Sequence, residues 1–388
     1  MELDLNEIRK NIDSIDDTLK ALYLERMALC DKVAEYKRQT SRAVLDNSRE
    51  KAIVSRLTDG MSDTDAGAVE LLYNTIFEIS RARQSSYLAQ HTQSSGTITK
   101  KLKNADRIAE KFPDSIPVAC QGVEGAYSQK ACNTLFSDAQ VLYFENFESV
   151  FKSVQSGLCR YGVLPFENSI HGSVTEVYDM LSKSDVSVVR SVKLPIHHAL
   201  LTKKGVALSE IKEIYSHRQA IGQCSNFLSE NKQIKVTVCE NTALASKMVS
   251  ESDRRDVAAI SSESCAELYG LDILKKDLQN SGINFTVFYC ISKQLEIYEG
   301  ANKAAFMFTI PNKKGALFNI LAKFAVKGIN LTKIESRPIC GKDFEFMFYA
   351  EADTEGLNDG LINLFAEFER SLDFFKFIGV YKEITTNS

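Results

Sequence analysis

Two groups of side chains in this sequence have the types and spacing for chemistry. The first is cationic: Arg9, Arg26, Lys37 and Arg49 lie in the opening charged segment. Arg26 and Lys37 are 11 residues apart, which after three helical turns returns them to nearly one angular position, while Arg9 falls far along the same axis. A basic lining with few acceptors suits a compact dicarboxylate. It can speed an intramolecular rearrangement without a nucleophile, by restricting the substrate to a reactive conformation and placing cations beside developing oxygen charge. The same charges also fit ordinary solvated helix faces. The second group is polar: Ser128, Glu167, Asn168, Ser169, His217, Gln219, Gln223, Asn241, Thr242 and Thr286 fall near the ends of expected strands. Open α/β folds collect their ligands at such ends.

The stretch YGVLPFENSIHGSVTEVYDML joins the two ideas of strand end and helix start. Residues 161–164 read as a short buried strand, and Pro165 is expected to stop its ladder, leaving Glu167, Asn168 and Ser169 just beyond it. Ser173, with Glu176 three residues on, is expected to cap a helix through Val177, Tyr178 and Leu181 whose N-terminus faces the same crevice. Such a junction also serves merely to turn a chain.

The elements that must position these residues follow from periodicity. Leu5, Ile8, Ile12, Ile15, Leu19 and Leu22 recur at three- and four-residue intervals, and no Gly or Pro interrupts the pattern through Leu29, Val33 and Tyr36. A helix over residues 5–38 follows, about 50 Å long. A fragment of about 90 residues cannot bury so long a stripe alone, so pairing with a second copy is expected, and an antiparallel neighbour would bring in Arg9. Further helices are expected at 48–57 and 65–90, the latter carrying Glu78 and Gln84. Ser94, Ser95 and Gly96 read as a flexible boundary, followed by one short helix before Pro113. From residue 118 short apolar runs alternate with helical stretches, giving an α/β region in two lobes. After Gly300 the order is βαββαβ, a ferredoxin-like sandwich.

At 388 residues the chain suggests two or three domains. With 47 basic against 51 acidic residues, the net charge of −4 does not favour a nucleic-acid backbone as partner. No apolar run reaches the roughly 20 residues that span a bilayer, and a cytoplasmic protein without membrane partners is expected. Nine cysteines contain no CxxC pair and five histidines form no metal-like array, so they are expected to be core thiols in a reducing compartment, with no metal and no cofactor. No GxGxxG or GxxxxGK[ST] nucleotide signature occurs, and no nucleophile elbow accompanies the Ser, His and Asp residues.

Arg9, Arg26, Lys37, Asp46, Arg49, Glu50 and Gln84 match, residue by residue, the active-site pattern of the all-helical chorismate mutase domain that opens bifunctional chorismate mutase-prephenate dehydratases. The resemblance implies an intertwined dimer in which Arg9 crosses to the partner's site. It also implies that Arg9 and Arg26 hold the carboxylates of chorismate, that Lys37 and Gln84 address the ether oxygen, and that Asp46 and Glu50 bind the hydroxyl region or orient neighbouring bases. GVEGAYSQKA, GVLPFENSIHGSV, NTALA, AAISSESCAELYGL and NFTVF resemble prephenate dehydratase, whose fold is two-lobed like periplasmic binding proteins. That implies loss of the ring hydroxyl with decarboxylation to phenylpyruvate. Thr286 would orient or donate to the departing hydroxyl, with Glu167 the rival acid, and Ser128, Asn168, Ser169, Gln219 and Gln223 would bind prephenate. The family's TRF is here Thr286, Val287 and Phe288, so an arginine is replaced. His197, His217 or Arg218 would then compensate, and Val287→Arg tests whether a binding function is missing. GALFNILAKFAVKGINLTKIESRP resembles a phenylalanine-binding ACT domain, with Gly315, Ala316, Leu317, Glu335, Ser336 and Arg337 as its allosteric residues.

The expected organisation is residues 1–92 mutase, 93–115 linker, 116–293 dehydratase in two α/β lobes, and 300–386 ACT. The partners would be chorismate, prephenate, L-phenylalanine and at least one further copy of the chain. Two other readings remain at this point: a mutase with a weakened or arogenate-preferring dehydratase, and an amino-acid sensor in the middle and C-terminal regions.

Overall fold

The computed structural model describes residues 4–40, 42–91, 96–108, 115–313, 315–339, 345–354 and 359–386, the side chains of 86 and 89–91 excepted. The chain divides into two compact units, Met1–Lys103 with Met307–Phe377, and Asn104–Phe306 with Ile378–Ser388. No helix among the described residues is long and apolar enough to cross a membrane.

The uninterrupted periodicity of the first segment forms α1, Leu5–Thr40, which is followed by α2, Asn47–Thr58, α3, Asp63–His91, and α4, Thr97–Lys103. Ser94 and Ser95 of the expected boundary lie outside the described residues. Asp46 starts α2 by accepting a hydrogen bond from the Arg49 amide at 3.0 Å, which satisfies one donor of the opening turn. α1 and α3 are clamped by Arg83, whose guanidinium donates twice to Asp31 at 2.6 Å. The apolar stripe of α1 stays largely uncovered, with Ile15 59 % and Leu22 58 % exposed and only Met27 and Ala34 buried.

The second unit begins with β1, Asp106–Ile108, β2, Ile116–Gln121, α5, Tyr127–Leu135, β3, Ala139–Phe144, and α6, Phe147–Ser156. Then come β4, Tyr161–Asn168, β5, Gly172–Ser173, α7, Thr175–Lys183, and β6, Ser187–Pro195. A second lobe holds β7, Ala199–Thr202, β8, Glu213–His217, α8, Arg218–Gln223, α9, Ser225–Glu230, and β9, Lys235–Cys239. It continues with α10, Thr242–Glu251, β10, Val257–Ser261, α11, Ser264–Tyr269, and β11, Asp272–Lys275. The chain returns to the first lobe in β12, Phe285–Ser292, and β13, Glu296–Tyr298.

The first-lobe sheet runs β6-β12-β4-β2-β3, with β2 parallel to both neighbours and β12 antiparallel to β4 and β6. The second runs β11-β7-β10-β8-β9, with β8 parallel to β9 and β10. Val118, Ala119 and Cys120 of β2 and all of Val257–Ser261 are buried, because helices and loops cover both faces of these strands. Cys120, Cys159 and Cys290 are buried free thiols.

Two local expectations need correction. The strand does not stop at Pro165: β4 continues to Asn168, because a bulge at Phe166 lets two residues of β4 oppose one step of β12. Proline fits at such an irregularity, and Glu167 and Asn168 therefore sit within the ladder's end, with only Ser169 beyond it. Ser173 does not cap α7. It pairs with Glu167 in β5, and Val174 precedes the helix without a side-chain cap.

The C-terminal part comprises β14, Lys303–Ile310, α12, Ala316–Val326, β15, Leu331–Pro338, β16, Phe346–Asp353, α13, Asp359–Ser371, and β17, Phe375–Tyr381. The sheet order β15-β16-β14-β17 is that of the ferredoxin-like βαββαβ arrangement. The last strand, β18, Glu383–Thr385, runs parallel to β6. At the end of β17 the backbone passes so near β6 that a Cβ on Gly379 would lie 2.0 Å from the Val188 carbonyl oxygen. Gly379→Ala is expected to destabilise the protein by about 3 kcal/mol, read as a lower denaturant midpoint. An unchanged midpoint would contradict this close approach.

Candidate active sites

The helical site forms where α1, α2 and α3 face one another. Arg26 donates to Ser80 at 2.7 Å and lies over the Phe77 ring at 5.6 Å, so its guanidinium is held in one orientation. Lys37 donates to the Val44 carbonyl at 2.5 Å. Burial lowers its pKa from the ordinary lysine value, against the opposing pull of Asp46 and then Glu50. Gln84 is buried on α3, and its Oε1 has no hydrogen-bond partner among the described residues. Asp46 caps α2, and hydrogen bonds from the Arg49 amide and Ser48 keep its carboxyl below the usual range. Arg49 is exposed in the first turn of α2, where the helix dipole disfavours a cation unless an anion is near.

Lys37, Asp46 and Glu50 thus come together within one chain. Arg9 does not join them: it is exposed on α1, 17 residues and about 25 Å along the axis from Arg26. Sequence reasoning missed Arg81. Its guanidinium donates to both oxygens of Glu50 and to Glu78, and it would have been visible as the residue one turn beyond Glu78 on α3.

The second candidate site lies in the α/β unit, where β4 and β12 meet the segment linking the lobes. Asn168 is its centre. Its Nδ2 reaches Thr286 Oγ1 and Asn284 Oδ1 at 3.0 Å and the Phe285 carbonyl at 3.1 Å, while its Oδ1 accepts from the amides of Ile170 and His171. One side chain therefore closes the β4-β5 turn and fixes the threonine. Because Thr286 Oγ accepts from Asn168, its hydroxyl proton is available to another acceptor. Asn284 extends the network by donating to Gln223 Oε1 at 3.0 Å, and His198 Nε2 meets the same oxygen at 2.7 Å. Burial lowers the His198 pKa, so the ring is neutral and donates from Nε2 to that oxygen.

Ser169 accepts from the Phe285 amide at 2.9 Å, a contact that ties the turn to β12. Ser128 is buried in the first turn of α5, and Gln219 is exposed in the first turn of α8. Asn241 is a cap, accepting from Leu244 at 2.7 Å, and Thr242 begins the helix it caps. His217 has its pKa lowered first by burial, then by the charges of His171 and Arg218.

Glu167 is not brought to Thr286. In the ladder Thr286 pairs with Asn168 and Leu194, whereas Val287 pairs with Glu167 and Lys193, so strand alternation puts the two sets on opposite faces. Lys193 is thus the cation opposite Val287, a neighbour that sequence reasoning did not identify. Of the residues expected to compensate there, His197 is paired to Asp277 at 3.0 Å. Asn284 and His198 were also missed; only the NF of the NFTVF stretch pointed to Asn284.

In the C-terminal domain Gly315 occupies the left-handed region at φ 77° as the residue before α12, a conformation that favours glycine. Ala316 and Leu317 open that helix. Glu335, Ser336 and Arg337 lie on the edge strand β15, where Arg337 pairs with Glu335 at 2.9 Å and Ser336 is exposed.

Residues 8–85 match the family Chorismate mutase type II and residues 118–296 match Prephenate dehydratase. The chain is 33% identical over 321 residues to Arogenate dehydratase/prephenate dehydratase 2, chloroplastic, of Arabidopsis thaliana, covering 80% of this chain and 82% of that protein. It is 31% identical over 352 residues to Bifunctional chorismate mutase/prephenate dehydratase of Escherichia coli (strain K12), covering 89% and 87%. Among solved structures, prephenate dehydratase in complex with L-Phe from Arthrobacter aurescens superposes with a TM-score of 0.63 at 28% identity, over 69% of this chain and 90% of that one. With both domain families present in order, and a relative spanning nearly the whole length, the chain belongs to the bifunctional chorismate mutase/prephenate dehydratase family.

Proposed function

We propose that the helical domain rearranges chorismate to prephenate and that the two-lobed domain converts prephenate to phenylpyruvate, carbon dioxide and water, under feedback inhibition by L-phenylalanine. The observation that carries the second step is the Asn168–Thr286 hydrogen bond, which leaves the threonine proton for a departing oxygen. The ring-to-carboxylate bond breaks, its electron pair completes the aromatic ring, and hydroxide leaves toward Thr286 and takes up a proton to become water. Asn168 and Gln223 hold the network that positions the threonine, Ser128, Ser169 and Gln219 complete the binding residues, and Glu167 serves from the face it shares with Val287. Aromatisation drives the step, so neither a nucleophile nor a cofactor is assigned.

For the first step Arg26 holds a carboxylate, and Lys37 with Gln84 meets the ether oxygen as its bond breaks. Asp46, Arg49 and Glu50 orient the hydroxyl side. Arg9 enters from a second copy, docked on the uncovered stripe of α1. Leu19→Glu is expected to shift the protein toward monomer in sedimentation and lower chorismate turnover by about tenfold, since it places a charge in the paired stripe. A dimer of unchanged stability would sink that pairing.

Phenylalanine is assigned to the C-terminal domain at Gly315, Ala316, Leu317, Glu335, Ser336 and Arg337, where it must bind one conformation better than another. The deciding experiment feeds chorismate to the purified protein with and without L-phenylalanine and follows chorismate, prephenate and phenylpyruvate separately. Arogenate is offered in parallel, because Val287 replaces the usual arginine and the Arabidopsis thaliana relative is named for both substrates. Accumulation of prephenate without phenylpyruvate would remove the second activity, and phenylalanine that binds without slowing either step would remove the feedback.

A further inference from the structure

Glu78 lies between two cations from different parts of the first unit. It is 4 % exposed on α3. Its Oε1 accepts from Arg81, whereas Oε2 has no hydrogen-bond partner among the described residues and lies 3.9 Å from the ammonium of Lys323 on α12. Lys323 is also paired to Glu367 of α13. On the other side, Arg81 donates to both oxygens of Glu50. A continuous line of alternating charge therefore runs from the C-terminal domain into the helical site: Lys323, Glu78, Arg81, Glu50. Lys37, Glu50, Arg81, Lys323 and Gly315 all line one cavity, so the two domains share a wall there.

A buried carboxylate oxygen without a donor is costly, and at low dielectric a small displacement of its nearest cation changes the interaction strongly. Glu78 and Glu50 share one guanidinium, through different nitrogens. With Lys323 close, Glu78 rests between two cations and Arg81 bridges it to Glu50; without Lys323, Glu78 rests on Arg81 alone and draws it away, so that Glu50 loses its orientation. We propose that Lys323 is a positioning residue for the rearrangement site, acting through Glu78 and Arg81 on Glu50. This rests on the assignment of chorismate rearrangement to the helical domain.

The test uses the full-length chain. Lys323→Gln is expected to lower kcat/KM for chorismate rearrangement about fivefold, as expected for residues coupled in one network. Prephenate dehydration should be unchanged, which also reports that the protein is folded. Lys323→Arg restores rearrangement, and Lys323→Gln adds nothing in a Glu78→Gln background. Wild-type rearrangement in Lys323→Gln, no rescue by arginine, or additive effects with Glu78→Gln would each overturn the proposal. Glu367→Gln, which releases Lys323 from its other carboxylate, supplies a second arm if Lys323→Gln does not fold. It is expected to alter rearrangement about threefold, and no change overturns the proposal. Failure of the unsubstituted protein to consume chorismate would instead remove the assignment on which the proposal stands.

Discussion

Thr286→Ala is expected to lower phenylpyruvate formation from prephenate by about 10²–10⁴-fold, the range set by loss of a positioned proton donor. The threonine is held by Asn168 at 3.0 Å and is buried, so its hydroxyl is positioned before substrate enters. Chorismate consumption should continue at the original rate, because Thr286 belongs to the second unit and the rearrangement residues to the first. Thr286→Ser keeps the hydroxyl and should retain most of the activity. Equal activity of the alanine variant and the parent would move the role elsewhere, with Glu167 next to be tested. The opposite face occupied by Glu167, beside Val287 and Lys193, gives a distinguishing expectation: Glu167→Gln should change saturation by prephenate more than turnover.

Lys37→Met should lower kcat for chorismate rearrangement by about 10²–10³-fold, as for removal of one preorganised donor to a developing oxyanion. Its stem length is roughly kept, so a packing defect is not the cause of a loss. Lys37 is tied to the Val44 carbonyl and drawn toward Asp46 and Glu50 within the same chain, which fixes its ammonium before substrate enters. Arginine is not an equivalent there, because a planar fork cannot take the place of a compact ammonium on one oxygen. Prephenate supplied directly should still give phenylpyruvate at the parent rate. A variant with normal chorismate turnover would separate Lys37 from the ether oxygen.

Local periodicity carried most of the architecture. The interrupted-by-nothing apolar pattern from Leu5 to Tyr36 specifies α1, and βαββαβ order in the last stretch specifies the ferredoxin-like sheet, because helix and strand periods are properties of neighbouring residues. Within the helical site the shared face of Arg26 and Lys37 on α1 was likewise countable, whereas Asp46 and Glu50 were given roles only by the family resemblance. What could not be counted was pairing across long separations. Asn168 meets Thr286 over 118 residues, and Arg81 meets Glu50 over 31, so neither contact has a local signal.

The register of β4 is the sharpest case. Proline alone argues for the end of a ladder, yet β12 pairs on through Glu167 and Asn168 because a bulge at Phe166 absorbs the mismatch. One residue of shift assigns Asn168 to the face of Thr286 and Glu167 to the face of Lys193. Chain order thus settles which elements form and which chemical groups they carry, since those depend on neighbours. Packing of one strand or helix against another settles which of those groups meet, since alternation turns a single step of register into a change of face.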